Sequence, residues 1–127
     1  MRLQVPLALV AGATIGMAAG ASPMAQKKAQ AYYIAEVAVA DVEADKRVLA
    51  RYPGTAESFG GRYLVRGGKS VIYAGEPPRR LVLVAFDNLE AVDVWRNSSQ
   101  VRQFEAERKT VGSNILRAFA IEGLPQQ

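Results

Sequence analysis

Gly60-Gly61-Arg62-Tyr63-Leu64-Val65-Arg66-Gly67-Gly68 reads as a short strand, Arg62 to Arg66, held between two pairs of turn residues. Gly60-Gly61 supplies the positive-φ position that commonly ends a helix, and Gly67-Gly68 signals a hairpin turn, with Ser70 to Ala74 as its return segment. Downstream, Gly75 to Pro78 forces another turn before the unbroken apolar run Leu81-Val82-Leu83-Val84-Ala85-Phe86, which has the length of a buried strand.

Upstream, Ala31 to Ala40 (AYYIAEVAVA) is rich in aromatic and β-branched residues, and Asp41 follows as an N-cap. That is a strand entering a helix. Ala44, Val48, Leu49, Tyr52, Ala56 and Phe59 then recur at three and four, painting one helical stripe, while Pro53 predicts a kink or break near Tyr52. Past Phe86, Asp87 and Glu90 have the spacing of a reciprocal cap for a second helix whose Ala91, Val92 and Trp95 face inward. Asn97-Ser98-Ser99 ends that helix and caps an amphipathic one running to about Lys109. Gly112-Ser113-Asn114 turns the chain into a last strand, Ile115 to Glu122. The order βαββαβ predicts an α+β fold: a ferredoxin-like plait, with an antiparallel four-stranded sheet and helices on one face.

In this plait one sheet face has no helices. Strand one shows Tyr33, Ala35, Val37 and Val39 on one side and Tyr32, Ile34, Glu36 and Ala38 on the other, and the third strand is apolar throughout. Leaving two apolar side chains wet on each of four strands forgoes on the order of 15 kcal/mol of burial. A homodimer paired through the sheet face is the expected solution; the alternative is that the Gly67–Pro78 segment folds back over its own sheet.

The chain of 127 residues is one domain preceded by a different kind of segment. After Arg2 the run Leu3 to Ala19 is uncharged and rich in Ala, Leu and Val, and Ala19-Gly20-Ala21 fits a signal peptidase. Residues 1–21 are read as a signal peptide, 22–30 as a flexible leader, 31–123 as the domain and 124–127 as a tail. The run is short for a membrane span and is broken by Pro6, Gly12 and Gly16. The expectation is therefore an exported, periplasmic or secreted bacterial protein with no stable membrane insertion after processing; an uncleaved N-terminal anchor is the alternative.

No cysteine is present, so an exported domain must be held by packing alone. The net charge of +4 falls to +3 once Arg2 leaves with the signal, a mild and intermixed excess that gives no reason to expect a nucleic-acid partner. The third strand also lacks the stacking aromatics of RNA-recognition plaits. Without His or Cys there is no zinc, copper or haem ligand set, and no cofactor or metal is expected.

Candidate binding residues follow from cost. Glu36 on an apolar strand must meet a cation or several donors. Arg62 and Arg66, each two residues from Leu64, are expected to share one face and to grip a carboxylate with their forked guanidinium groups. Trp95 offers a flat wall beside the amide of Asn97 and the hydroxyl of Ser98, suited to a small aromatic molecule. Each has a structural reading too: Glu36 and an arginine as an ion pair fixing a dimer, Trp95 as core, Asn97-Ser98 as a helix junction. The expectation is a small-molecule site between sheet and helices lined by Glu36, Arg62, Arg66, Trp95 and Asn97, with no catalytic residue identifiable.

Tyr33 to Val39 with Glu36, GGRYLVRGG, PPRRLVLVAF, Trp95-Arg96-Asn97-Ser98 and Ala120-Ile121-Glu122-Gly123 together resemble the domain-of-unknown-function family 1330, in particular its exported bacterial members, from Ala31 to Gly123. The resemblance implies the dimeric α/β-barrel superfamily, in which two such chains pack sheet on sheet. That group includes cofactor-free monooxygenases, haem-degrading enzymes, chlorite dismutase-like proteins and stress-response proteins. The implied function is binding of a small anionic or aromatic molecule, extending to a cofactor-free oxygenase-like activity. A non-catalytic exported homodimer with an accessory or stress-related role is the alternative. Phe59 and Val101 stand where the family often carries His or Tyr and Tyr, respectively, so no phenol or imidazole acts from those two places here.

Overall fold

The computed structural model describes residues 29–125; the expected signal peptide, and the leader up to residue 28, lie outside the described residues. Strand β1 (Ala31–Val39) leads into helix α1 (Val42–Ala50), a 3-10 turn (Glu57–Phe59) and strand β2 (Arg62–Arg66). Strand β3 (Arg80–Phe86), helices α2 (Leu89–Arg96) and α3 (Ser99–Thr110), and strand β4 (Ser113–Glu122) complete the domain. The sheet order is β2-β3-β1-β4 with every neighbouring pair antiparallel, the ferredoxin-like plait that the sequence predicts.

Local chemistry sets most of the boundaries. The Asp41 carboxylate accepts the Ala44 amide at 3.0 Å and starts α1. The helix closes at Ala50, short of Pro53, and the rest of the predicted stripe continues as turns: Ala56 is buried and Phe59 packs against the core from the 3-10 segment. Gly60, at φ +85°, ends that segment. Ser98 caps α3 by accepting the Val101 amide, as expected.

Two expectations are corrected. Helix α2 is capped by Asn88, whose side chain accepts the Ala91 amide at 2.8 Å, and not by Asp87. Asn and Asp cap equally well, and it is Asn88 that holds the extended backbone (φ −163°) at the strand exit. Ser70 to Ala74 forms no return strand. Strand β2 pairs directly with β3, Gly67 N–H donates to the Leu81 carbonyl at 2.8 Å, and the intervening segment is irregular. Gly75 and Pro77-Pro78 are poor ladder formers, so that segment stays outside the sheet with Tyr73 93% exposed.

Burial alternates along β1: Ala31, Tyr33, Ala35 and Val37 are buried, and the residues between them only partly. The buried set faces the helices. Trp95 of α2 joins it, edge-on to Tyr33 (ring centroids 5.0 Å apart, 86° between planes) and tilted over Phe86 at 5.1 Å. Burying such rings contributes about 2–3 kcal/mol each. On the opposite face Tyr32, Ile34, Leu81 and Leu83 are partly exposed, and Phe119 and Ile121 are about half exposed. The register places Ile34 between Leu83 and Phe119, so the apolar residues form one continuous patch.

Candidate functional site

The expected five-residue site does not assemble as one. A bulge at Leu64 separates Arg62 from Arg66: Arg62 lies opposite Ala85, on the open face, and Arg66 opposite Val82, on the helix face. The expectation that the two arginines share a face is thereby corrected, because one extra residue in a strand reverses every side chain beyond it. Glu36 also belongs to the open face. Its carboxylate accepts the Arg79 amide at 2.8 Å and lies 3.6 Å from Arg117 Nε, across the β1–β4 register. It meets the cation its position demands, far from Trp95. Asn97 is exposed and turns back on its own helix, donating to the Asp93 carbonyl at 2.9 Å. Only Arg66 and Trp95 of the five line a common cavity.

That cavity, about 70 Å³, lies between the helix face of the sheet and helices α1 and α3. Tyr33, Tyr63 and Trp95 supply aromatic walls, with Val101 and Phe104 from α3. Four arginines line it: Arg66, Arg80, Arg96 and Arg108. Period-two alternation brings Arg80 there, since it pairs with Val37 and precedes Val82 and Val84 on the same face. An open groove of about 310 Å³ between α3 and the start of β4 adjoins it, sharing Val37, Glu105, Arg108 and Ile115.

Two of the four cations are neutralised. Glu105 takes both Arg96 nitrogens, at 2.6 and 3.1 Å, across the α2–α3 junction. Asp45, 4% exposed, accepts Arg108 through both oxygens at 2.8 and 2.9 Å and the Ser113 hydroxyl at 2.7 Å. Burial alone would raise the Asp45 carboxyl, but the Arg108 and Ser113 bonds prevail and hold it below its ordinary 3.8. Burial pushes the Tyr33 phenol above 10.0 against the opposing charge of Arg96, keeping it a neutral donor at physiological pH. Arg66 lies over the Tyr63 ring, its guanidinium carbon 3.6 Å from the centroid, and neither Arg66 nor Arg80 forms an ion pair with a described residue. Trp95, which lines the same space, has its indole N–H buried with no hydrogen-bond partner among the described residues.

Arg80, Arg96, Arg108, Glu105, Tyr33 and Tyr63 are the site residues that the sequence reading missed. For Tyr33 and Arg80 strand alternation was a usable signal. For the pairs made by α3 there was none, because its low apolar content marks it only as a surface helix.

Residues 30–124 match the family described as "Domain of unknown function (DUF1330)". The chain belongs to that family. No curated protein matches the sequence. Among solved structures the fold is similar to an RPA0582 protein of unknown function from Rhodopseudomonas palustris, with a TM-score of 0.56 at 13% identity over 87% of this chain and 92% of that one. It is equally similar to the methylated form of the RPA0582 protein, with the same TM-score and identity over 87% and 90% of the two chains. At that identity the likeness is one of fold. Val101 falls on the cavity wall and Phe59 against the core, and the phenols of this cavity come from strands, Tyr33 and Tyr63.

Proposed function

We propose that the mature protein is an exported homodimer, paired sheet to sheet, that binds a small anionic or aromatic molecule in the helix-side cavity of each subunit. The observation that carries this reading is an aromatic-walled space lined by two arginines, Arg66 and Arg80, that form no ion pair with a described residue. The apolar patch around Ile34 and Phe119 supports the pairing, since exposed surface of that kind commonly marks an interface. The adjoining groove, which shares Val37, Glu105, Arg108 and Ile115 with the cavity, gives room for the body of a ring compound.

Binding, rather than an oxygenase-like reaction, is what the lining residues favour. Glu105, the cavity's carboxylate, is engaged through both oxygens, and the Tyr33 phenol keeps its proton, so these groups hold and orient. The second reading, an exported homodimer with an accessory role and no ligand, is favoured by Glu36 already having its partners on the open face.

Native mass spectrometry of protein purified from its own host tests both halves together. A dimer mass with a small-molecule adduct per subunit is the expected result. A monomer at micromolar concentration, carrying no adduct, overturns the reading.

A further inference from the structure

We infer that the molecule bound in this cavity is a carboxylate, gripped by the guanidinium groups of Arg66 and Arg80. This rests on the cavity being a binding site and adds the chemical class and the residues that read it. The argument is one of charge and donors. Of four arginines lining the space, Arg96 is taken by Glu105 and Arg108 by Asp45, which leaves Arg66 and Arg80, both exposed, without an ion pair to a described residue, although the Asp45 carboxylate also feels the charge of Arg80. Neither of these two donates a hydrogen bond to a described residue, although forked guanidinium donors are well matched to a planar carboxylate.

The pair is held in place by what surrounds it. Tyr63 supports Arg66 from below its guanidinium at 3.6 Å. Arg80 lies against Gly67, where a methyl group would come within 2.8 Å of Nη1, so the glycine leaves the space its guanidinium occupies. The walls choose among anions. Flat aromatic surfaces from Tyr33 and Trp95 beside a volume of about 70 Å³ suit a planar two-oxygen head better than a tetrahedral phosphate with three oxygens to satisfy.

Trp95 is the chain's one tryptophan and lines the cavity, so its fluorescence reports occupancy directly. The mature protein is titrated at constant ionic strength with acetate, propanoate and benzoate, and with the matching neutral amides. At least one acid is expected to give a saturable change in emission, with its amide about ten-fold weaker or worse. Arg66→Gln and Arg80→Gln are each expected to weaken the acid by about ten-fold, the double variant to abolish binding, and Arg62→Gln, on the opposite face, to leave it unchanged. An amide that binds as well as its acid, or a double variant that binds like the parent, overturns the carboxylate assignment while the cavity stands as a binding site. No saturable change with any acid or amide also overturns the assignment, and an adduct-free native spectrum would then remove the binding site as well.

Discussion

The two faces of this sheet are built from the same strands, alternate residue by alternate residue, and they end up in opposite conditions. On the helix side Tyr33, Phe86 and Trp95 are buried together, and the polar groups that remain are arginines with donors to spare. On the other side Glu36 is met by Arg79 and Arg117, and what stands open is apolar surface at Ile34, Phe119 and Ile121. Under the proposed reading, one face takes a hydrogen-bonding guest and the other a hydrophobic neighbour. A single four-stranded layer thus separates two recognition problems of different physical kinds, and each is tested by substitutions that leave the other alone.

The largest effect is expected from Trp95→Ala, which removes the ring that joins Tyr33 and Phe86. A loss of about 3–5 kcal/mol in urea unfolding is expected. A loss under about 1 kcal/mol would mean that the helix face is not where the stability resides.

Asp45→Asn breaks the buried bond set between α1, α3 and β4 and should cost about 3 kcal/mol at neutral pH. Because the Asp45 carboxyl is held below 3.8, its stabilisation is fully present above that pH and is lost as pH falls through the lower folded value. The gap between parent and variant in an acid titration followed by circular dichroism should therefore narrow below pH 3.8. A gap of constant size would sink the attribution to charge.

Ile34→Lys puts a charge at the centre of the open patch. Sedimentation equilibrium should show dimer affinity falling by about 100-fold or more, with the subunit's far-ultraviolet spectrum preserved. An unchanged dimer would refute pairing through this face.

The smallest effect is expected from Gly67→Ala. Its backbone sits at φ +74° and its new methyl would meet Arg80, so about 1 kcal/mol of stability should be lost, together with a measurable weakening of carboxylate binding. Loss of stability with binding intact would show that Gly67 does not set the position of Arg80 for binding.

Most of the fold was legible because its signals are local. Alternation in AYYIAEVAV marks both faces of β1, Asp41 and Ser98 cap where short acceptors stand before helical stripes, and Pro53 stops α1 by lacking a donor. The candidate site was legible only in part. Arg66 and Trp95 were found because an arginine on a strand and a tryptophan in a helix are conspicuous anywhere. Arg62 was grouped with Arg66 by counting residues, and the count fails at a bulge that Leu64 does not announce.

By itself the amino-acid sequence determined the order of elements, the plait topology, the family and the apolar character of both sheet faces, since these follow from periodicity, caps and turn residues acting within a few positions of one another. Which charges meet was decided by tertiary structure alone. The Leu64 bulge sends Arg62 and Arg66 to opposite sides, the β1–β4 register delivers Arg117 to Glu36, and the placement of α3 spends Arg96 and Arg108 on acids while leaving Arg66 and Arg80 unspent. Pairing between residues tens of positions apart depends on register and packing angle, and a one-residue shift in either changes the partner without changing the local pattern.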